Sequence, residues 1–226
     1  MSSVLGDSQR AALRAVLSDQ LLAVSFGSGV DSTAMLVALH EAGIKPDVIT
    51  FADTGGEKPE TLAHIDAMNE VLAGWGWPLI EVVRKVPLTG TGYTDLYGNC
   101  HKNETLPSLA FGMKSCSIKW KQVPQDQFLK GCKRGPATRD PHPLWLRSQA
   151  EGRKITKLIG YDCGRADLRR SKSLPEEDAD FAYLYPLQIL GWTRRERVLL
   201  LSRLKALGAV LAGCASPRAT GAGAAA

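Results

Sequence analysis

The segment best suited to chemistry is a run of small and hydroxyl-bearing residues, SFGSGVDST, at positions 25–33. It follows an apolar stretch and leads into a second apolar pattern with helical spacing. A turn of small residues between a strand and a helix directs backbone N–H groups and a helix N-terminus at an anion. The hydroxyls of Ser28, Ser32 and Thr33 can donate further hydrogen bonds to phosphate oxygens. The sequence therefore predicts a phosphate-binding loop.

Two common types of phosphate loop match this segment incompletely. A Walker A loop requires Lys followed by Ser or Thr after its second glycine, but Val30 and Asp31 occupy that region. A dinucleotide-binding turn requires a third glycine where Ser32 stands, although Asp53 lies at a position suitable for a ribose-binding carboxylate. The Walker A loop is therefore excluded, and an NAD-type dinucleotide-binding protein remains a minor alternative.

The elements that must position this loop alternate along the first 84 residues. Strands are predicted at Leu21–Phe26, Asp47–Phe51 and Leu79–Val83, and helices at Ser8–Leu17, Asp31–Ala42 and Lys58–Ala73. Strand, helix, strand, helix, strand in this order predicts parallel βαβ units. We therefore predict an α/β fold, an open, twisted parallel sheet with helices on both faces. A fourth strand is predicted at Ile155–Tyr161, within an irregular C-terminal part.

Chain length and local composition predict the domain organisation. A chain of 226 residues is typical of one domain with a sizeable core. We predict a single α/β domain over residues 1–208, with a nucleotide-binding core at about 18–84 and the substrate and acceptor side at about 85–208. Within the latter, residues 85–103 are predicted to form a long loop. The Ala/Gly-rich residues 209–226 are predicted to be a disordered tail.

Composition and charge narrow the class of protein. Hydrophobic residues make up 44% of the chain and charged residues 23%, which is typical of a globular protein. No apolar run approaches the roughly 20 residues that cross a bilayer, so no membrane partner is predicted. The N-terminal sequence lacks a basic start and an apolar core, so we expect no signal peptide and a cytoplasmic location. The net charge of +5, with basic clusters concentrated after residue 110, favours a polyanionic partner.

The cysteines leave a metal site open without establishing one. The chain has five cysteines and no Cys-x-x-Cys pair. An odd count in a chain without a leader favours reduced thiols. The cysteine spacings match no local metal signature, so no metal ligand is firmly predicted. A zinc ion or an iron–sulfur cluster held by Cys100, Cys116 and Cys163 stays a hypothesis.

Further sequence blocks connect the loop to a known family. The blocks are FADTGGEKPET (51–61), KSCSIKWK (114–121), GYDCGRADLRR (160–170) and the Tyr185-Pro186-Leu187 and Trp192-Thr193 segments. With SFGSGVDST, they resemble the PP-loop superfamily, in its phosphoadenosine phosphosulfate (PAPS) reductase-like branch of phage and prophage type. The resemblance spans residues 21 to about 198. Relative to the usual Ser-Gly-Gly-x-Asp-Ser pattern, Gly27 replaces the serine and Ser28 the first glycine.

The resemblance implies an ATP pyrophosphatase that uses ATP and Mg²⁺ to adenylate an acceptor for sulfur or amine transfer. The implied cofactor-binding residues are Ser25, Gly27, Ser28, Gly29, Val30, Asp31, Ser32, Thr33, Asp53 and Thr54. The implied catalytic residues are Asp31, Ser32, Lys119 and Arg169. The implied substrate-binding residues are Glu57, Cys116, Arg165 and Arg170. The implied partners are an adenine nucleotide, a nucleic-acid or small-molecule acceptor and a sulfur-donor protein.

Two alternatives remain within this resemblance. Sulfonucleotide reductases carry a C-terminal Glu-Cys-Gly-hydrophobic-His motif, whereas Cys214 lies in LAGCAS without a preceding acid or a following histidine. The neighbours that lower a cysteine pKa are therefore missing, which disfavours sulfonucleotide reduction. The exchange of residue types at positions 27 and 28 leaves open a nucleotide- or nucleic-acid-binding protein without turnover.

Overall fold

A five-stranded parallel sheet organises the computed structural model, which describes residues 4–106, 117–133, 138–197 and 200. The strands are β1 (Leu21–Phe26), β2 (Val48–Asp53), β3 (Ile80–Arg84), β4 (Ile155–Ile159) and β5 (Phe181–Leu184). Their spatial order is β3-β2-β1-β4-β5, and each neighbouring pair is parallel. In the central register, Val24 lies between Ile49 and Leu158. The predicted α/β fold with a parallel sheet is confirmed.

The helices connect these strands and cover the sheet. They are α1 (Asp7–Leu17), α2 (Val30–Glu41), α3 (Pro59–Gly74), α4 (Leu96–Lys102), α5 (Val123–Lys130), α6 (Pro143–Glu151), α7 (Arg165–Ser173) and α8 (Pro186–Ile189). A 3₁₀ turn spans Thr89–Thr91, and a π-helical turn spans Ile118–Gln122. Within the described residues, no helix is long and apolar enough to cross a membrane.

Two hydrophobic clusters lie on opposite faces of the sheet. Because successive side chains of a strand point to opposite faces, β1 contributes Leu22, Val24 and Phe26 to one cluster, and Leu21 and Ala23 to the other. The first cluster contains the buried faces of α1, α2 and α3, and the second those of α5 and α6. Helices therefore cover both faces of the sheet.

The sequence patterns located the early elements to within two residues but missed several later ones. The predicted loop at 85–103 contains α4, whose N-terminus is capped by the Asp95 side chain, 2.7 Å from the Gly98 amide nitrogen. Strand β5 was not predicted because it has four residues, too few for an alternating pattern to stand out. Helix α7 was not predicted because it has no buried residue and therefore no apolar periodicity. The predicted tail at 209–226 lies outside the described residues.

Candidate functional site

A cleft of about 270 Å³ opens at the carboxyl edge of the sheet, beside the ends of β1 and β4. The chain leaves β1 toward β2 on one side, whereas β4 and β5 lie on the other, so this is the topological switch point where open α/β sheets bind ligands. From the β1 side it is lined by Ser25, Gly27, Gly29, Val30, Asp31 and Ser32. From the β4 side it is lined by Ile159, Gly160, Tyr161, Asp167 and Arg170.

The loop after β1 delivers the N-terminus of α2 into this cleft. Gly29 is the N-cap of α2, and its amide and carbonyl lie 3.2 and 3.1 Å from the Ser32 hydroxyl, which accepts from one and donates to the other. The first amides of a helix have no intrahelical acceptor, and a 12-residue helix adds its positive dipole end. The arrangement can therefore bind a phosphate through backbone amides.

Ser28 and Thr33 direct their hydroxyls away from the cleft. Ser28 adopts a left-handed conformation with φ of 52°, and its hydroxyl donates to the Thr61 carbonyl at 2.9 Å. Thr33 is fully buried, with its hydroxyl 3.0 Å from Nε2 of His64. The expectation that these two hydroxyls supply phosphate donors is therefore not met in this conformation. Ser25 lines the cleft, but its hydroxyl donates to Gln125 Oε1 at 2.7 Å.

Gly160 brings the end of β4 into direct contact with the start of α2. A Cβ atom at this position would lie 3.0 Å from the Ser32 nitrogen and 3.1 Å from the Asp31 carbonyl carbon. Real Cβ contacts are rarely this short, and the neighbouring atoms belong to the backbone. Glycine at this position therefore permits the close packing that forms the cleft floor.

A buried arginine that the sequence did not single out lies behind the loop. Arg197 is 5% exposed, and its guanidinium forms ion pairs with both Asp31 and Asp162. The Asp162 carboxylate also accepts a hydrogen bond from the Gly164 amide at 2.8 Å, at the N-cap of α7. The sequence could have pointed to Asp162, because it lies within the GYDCG block. It could not have pointed to Arg197, because this residue is one of three arginines in TRRER and nothing in the sequence distinguishes it from the other two.

The wall formed by α7 carries one arginine into the cleft. Arg170 lines it and forms a 2.9 Å ion pair with Asp167, one helical turn away on the same face. Among the described residues, the lining includes Arg170 but not the predicted Arg165 or Arg169, both of which are exposed. The predicted catalytic role of Arg169 therefore lacks a position in this cleft. The reason is helical geometry, which turns adjacent residues by about 100°.

An aromatic pair flanks the same wall. Tyr161 lines the cleft and stacks on Tyr185, with ring centroids 5.5 Å apart and planes inclined by 9°. Burial raises the pKa of Tyr161 and raises that of Tyr185 to about 12, so both phenols are neutral near pH 7. This wall can therefore contact a ligand through a neutral aromatic surface.

In the FADTGGEKPET block, the polar groups at the end of β2 hydrogen-bond one another. One carboxylate oxygen of Asp53 accepts from the Gly55 amide at 2.7 Å, and the other pairs with Arg84. The Thr54 hydroxyl donates to Glu57 at 2.9 Å, and Glu57 lies 3.7 Å from the Lys121 ammonium. Asp53 and Thr54 are buried, and neither lines the cleft. The sequence prediction that they face a nucleotide has no support in these contacts.

Lys119 belongs to a separate cluster beside α4. Its ammonium donates to the Tyr93 hydroxyl at 3.3 Å and to Asn99 Oδ1 at 3.2 Å, and it lies over the Tyr93 ring. The described cleft lining does not contain it, so its predicted catalytic role also lacks a position there.

The cysteines do not assemble a metal site within the described chain. Cys100 lies on α4, and Cys163 lies before α7 with its sulfur 3.9 Å from the Gln188 carbonyl oxygen. Burial raises the pKa of the Cys163 thiol, which disfavours the thiolate that binds metals. The described residues contain no group of three His, Cys, Asp or Glu side chains that could hold a metal ion. Cys116 lies outside them.

Comparisons with known proteins find similarity among solved structures. No family model matches the sequence, and no curated protein matches it. Among solved structures, the chain is similar to the U34-tRNA thiolase NcsA from Methanococcus maripaludis with its [4Fe-4S] cluster, at 16% identity and a TM-score of 0.47. The match covers 92% of this chain and 66% of the thiolase, so the chain spans just under two thirds of that protein's length.

Proposed function

We propose that this chain is a PP-loop ATP pyrophosphatase of the PAPS reductase-like branch, which adenylates an acceptor. The observation that carries the proposal is the position of SFGSGVDST: its loop and the start of α2 line the switch-point cleft. The residue types of the loop support the PP-loop assignment, and the exposed helix N-terminus supports phosphate binding. The fold by itself would not distinguish among the many functions of α/β sheets.

The proposed reaction needs positioning and charge neutralisation more than covalent chemistry by the protein. An acceptor oxygen attacks the α-phosphorus of ATP in line, forming a P–O bond. The bond between the α-phosphorus and the α–β bridging oxygen breaks, and its electron pair leaves with pyrophosphate. The acceptor becomes an AMP ester, from which a sulfur or nitrogen nucleophile then displaces AMP.

The residues of the cleft suit the departing pyrophosphate. The amides of Val30, Asp31 and Ser32 lie at the N-terminus of α2, where negative charge is stabilised. Arg170 on the opposite wall adds a positive charge. The Asp31 carboxylate supplies the oxygen ligands that Mg²⁺ prefers, and a bound Mg²⁺ would neutralise charge on the phosphates. Asp31 offers one carboxylate to a Mg²⁺ that arrives with ATP, whereas the described residues contain no group of three His, Cys, Asp or Glu side chains that could hold a resident metal ion.

The acceptor is proposed to be a nucleic acid or a small molecule with a carbonyl-type oxygen. The positive net charge supports an anionic acceptor, and the Tyr161 wall supports a flat one. A separate sulfur donor would deliver the second nucleophile, because burial raises the pKa of the Cys163 thiol, which follows the cleft-wall residue Tyr161 by two positions.

A radioactive assay tests the proposed function. The protein is incubated with α-³²P ATP, Mg²⁺, sulfide or ammonium as the second nucleophile, and candidate acceptors, including total tRNA and fragmented DNA, and labelled AMP is separated by chromatography. AMP that requires both the acceptor and Mg²⁺ supports the proposal. ATP binding without AMP under any acceptor would instead support the non-catalytic alternative, which is favoured by the Ser28 hydroxyl being bound to Thr61.

A parallel reaction with PAPS tests the reductase alternative. Formation of a protein thiosulfonate, detected by intact mass, would establish sulfonucleotide reduction and contradict the adenylation proposal. We expect no mass change, because the acid and the histidine that flank a reductase cysteine are missing around Cys214.

A further inference from the structure

Arg197 connects the two helix N-termini that flank the cleft. Asp31 is the second residue of α2, and Asp162 caps the start of α7 through the Gly164 amide. The Arg197 guanidinium pairs with both carboxylates, and its Nε donates to the Thr193 carbonyl at 3.2 Å. One side chain from the segment after β5 therefore contacts the phosphate loop and the opposite wall.

The pairing is selective for arginine. Arg197 is 5% exposed, and a buried cation is tolerated only when its charge and its N–H groups are satisfied. The planar guanidinium presents five N–H groups in a fork, so it can bind two carboxylates and a carbonyl together, which a single ammonium cannot do in the same geometry. The Asp31 side chain remains 38% exposed and lines the cleft. Arg197 therefore binds the Asp31 carboxylate from the protein side, while the exposed part of the Asp31 side chain lines the cleft.

The Arg197 ion pairs also neutralise negative charge beside the cleft. Three carboxylates, those of Asp31, Asp162 and Asp167, lie at or directly behind the lining, and Arg170 pairs with only one of them. Without Arg197, the charge of Asp31 in the lining and that of the buried Asp162 behind it would both be left without this cation and would repel an incoming triphosphate. With Arg197, both are paired with one cation, and the loop amides can attract phosphate.

We propose that Arg197 is a positioning residue, which fixes Asp31 and the first turn of α2 in the geometry that receives the triphosphate. The inference rests on the proposed function, because it concerns the same cleft. It assigns the helical segment 194–197 to the support of the site, although no side chain of this segment, Arg197 included, is among the residues that line the cleft.

The test compares two arginines of the same segment. Arg197→Met removes the buried contact, and Arg195→Met removes an exposed charge of the same sign. The dissociation constant for a non-hydrolysable ATP analogue is measured with Mg²⁺ by calorimetry, well below the melting temperature of each variant. We expect about a tenfold weaker affinity for Arg197→Met and no change for Arg195→Met. Arg197→Lys should recover part of the affinity, because it restores the charge without the fork.

Hydrogen exchange of the free protein gives a second measurement that needs no nucleotide. We expect the amides of residues 28–33 to exchange faster in Arg197→Met than in the wild type or in Arg195→Met. A folded Arg197→Met protein with wild-type affinity and wild-type exchange in the loop would overturn the inference. If Arg197→Met does not fold, wild-type values for both measurements in Arg197→Lys would overturn it.

The two proposals fail in different ways. A wild-type protein that binds no ATP analogue contradicts the proposed function, and loop exchange in the Arg197 variants still decides the positioning role. A protein that binds the analogue with Arg197-dependent affinity but forms no AMP contradicts the adenylation reaction and supports the positioning role.

Discussion

Two loops that look alike in sequence behave differently at the carboxyl edge of the sheet. The loop after β1 (25–33) opens into the cleft and is held from behind by Arg197. The loop after β2 (53–57) uses its own polar groups, with Asp53 bonded to Gly55 and paired with Arg84, and Thr54 bonded to Glu57. Motif chemistry alone does not identify a ligand site, since the same residue types can bind a ligand or one another.

The difference follows from the positions of the two strands. Strand β1 lies at the switch point, where its loop and the end of β4 diverge and leave space. Strand β2 lies between β1 and β3, and its loop packs against α4, where a Cβ on Gly55 would lie 2.4 Å from Cβ of Asp95. The first loop therefore has room for a ligand, whereas the second is filled by protein.

The largest loss of ATP affinity is expected from a substitution that fills the space beside the loop after β1. Gly160→Val would place a branched side chain against the backbone of Asp31 and Ser32, because a Cβ there already lies 3.0 Å from the Ser32 nitrogen. We expect ATP affinity to fall by roughly ten- to a hundredfold, because the added side chain displaces the first turn of α2, and overpacking should also lower the stability by about 1–3 kcal/mol. Equilibrium binding of a fluorescent ATP analogue measures the effect.

Gly74→Ala is the matched control, since a Cβ at Gly74 meets no heavy atom within 4 Å. It should bind the analogue as the wild type does. Wild-type affinity in a folded Gly160→Val protein would show that the nucleotide does not use the cleft between β1 and β4.

A substitution in the loop after β2 should lower the stability of the protein and leave its ATP affinity unchanged. Thr54→Val removes a buried hydroxyl that donates to Glu57, so the free energy of unfolding should fall by about 1 kcal/mol. Urea denaturation measures this change, and ATP affinity should stay within experimental error. A clear loss of affinity in the folded variant would mean that the second block contacts the nucleotide after all.

A smaller and more selective effect is expected at Ser28. Ser28→Ala keeps a Cβ in the left-handed conformation and removes the bond to the Thr61 carbonyl, so it should cost about 1 kcal/mol of stability. Ser28→Gly loses the same bond but relieves the backbone strain, so it should be the more stable of the two variants. Both should bind ATP normally, because the hydroxyl does not face the cleft. Reduced ATP affinity in both variants would place the hydroxyl on the phosphate.

The smallest effect should be a pH dependence of stability that arises from His64, which contacts Thr33 in the first turn of α2. Burial lowers the pKa of His64, whose Nε2 contacts the Thr33 hydroxyl. The unfolded chain therefore binds the proton more readily than the folded one, and stability is complete above the unfolded pKa of about 6.5 and falls as the pH drops below it. Urea denaturation at pH 7.5 and pH 5.5 should show a smaller loss in His64→Gln than in the wild type. An equal loss in both proteins would assign the pH dependence to other groups, with His101→Gln as the exposed control.

The sequence predicted the first half of the molecule well because its signals are local. Apolar runs, helical spacing and the glycine turn define β1, α2, β2, α3 and β3 within a few residues of their positions. The loop after β1 was located by residue type alone, because its small residues lie between a strand and a helix. Strand β5 was not predicted because it is too short for a periodic signal, and helix α7 was not predicted because it is too polar for one.

The sequence by itself determined the parallel α/β fold and the position of the small-residue loop after β1, since both depend on patterns a few residues long. Only the tertiary structure decided which polar side chains line the cleft and which lie behind it. The rotation of α7 places Arg170 and not Arg169 in the lining, and packing buries Arg197, but not Arg194 or Arg195, against two carboxylates. Neighbouring arginines are equivalent in a sequence, and they become different when packing gives one of them buried partners and leaves the others in water.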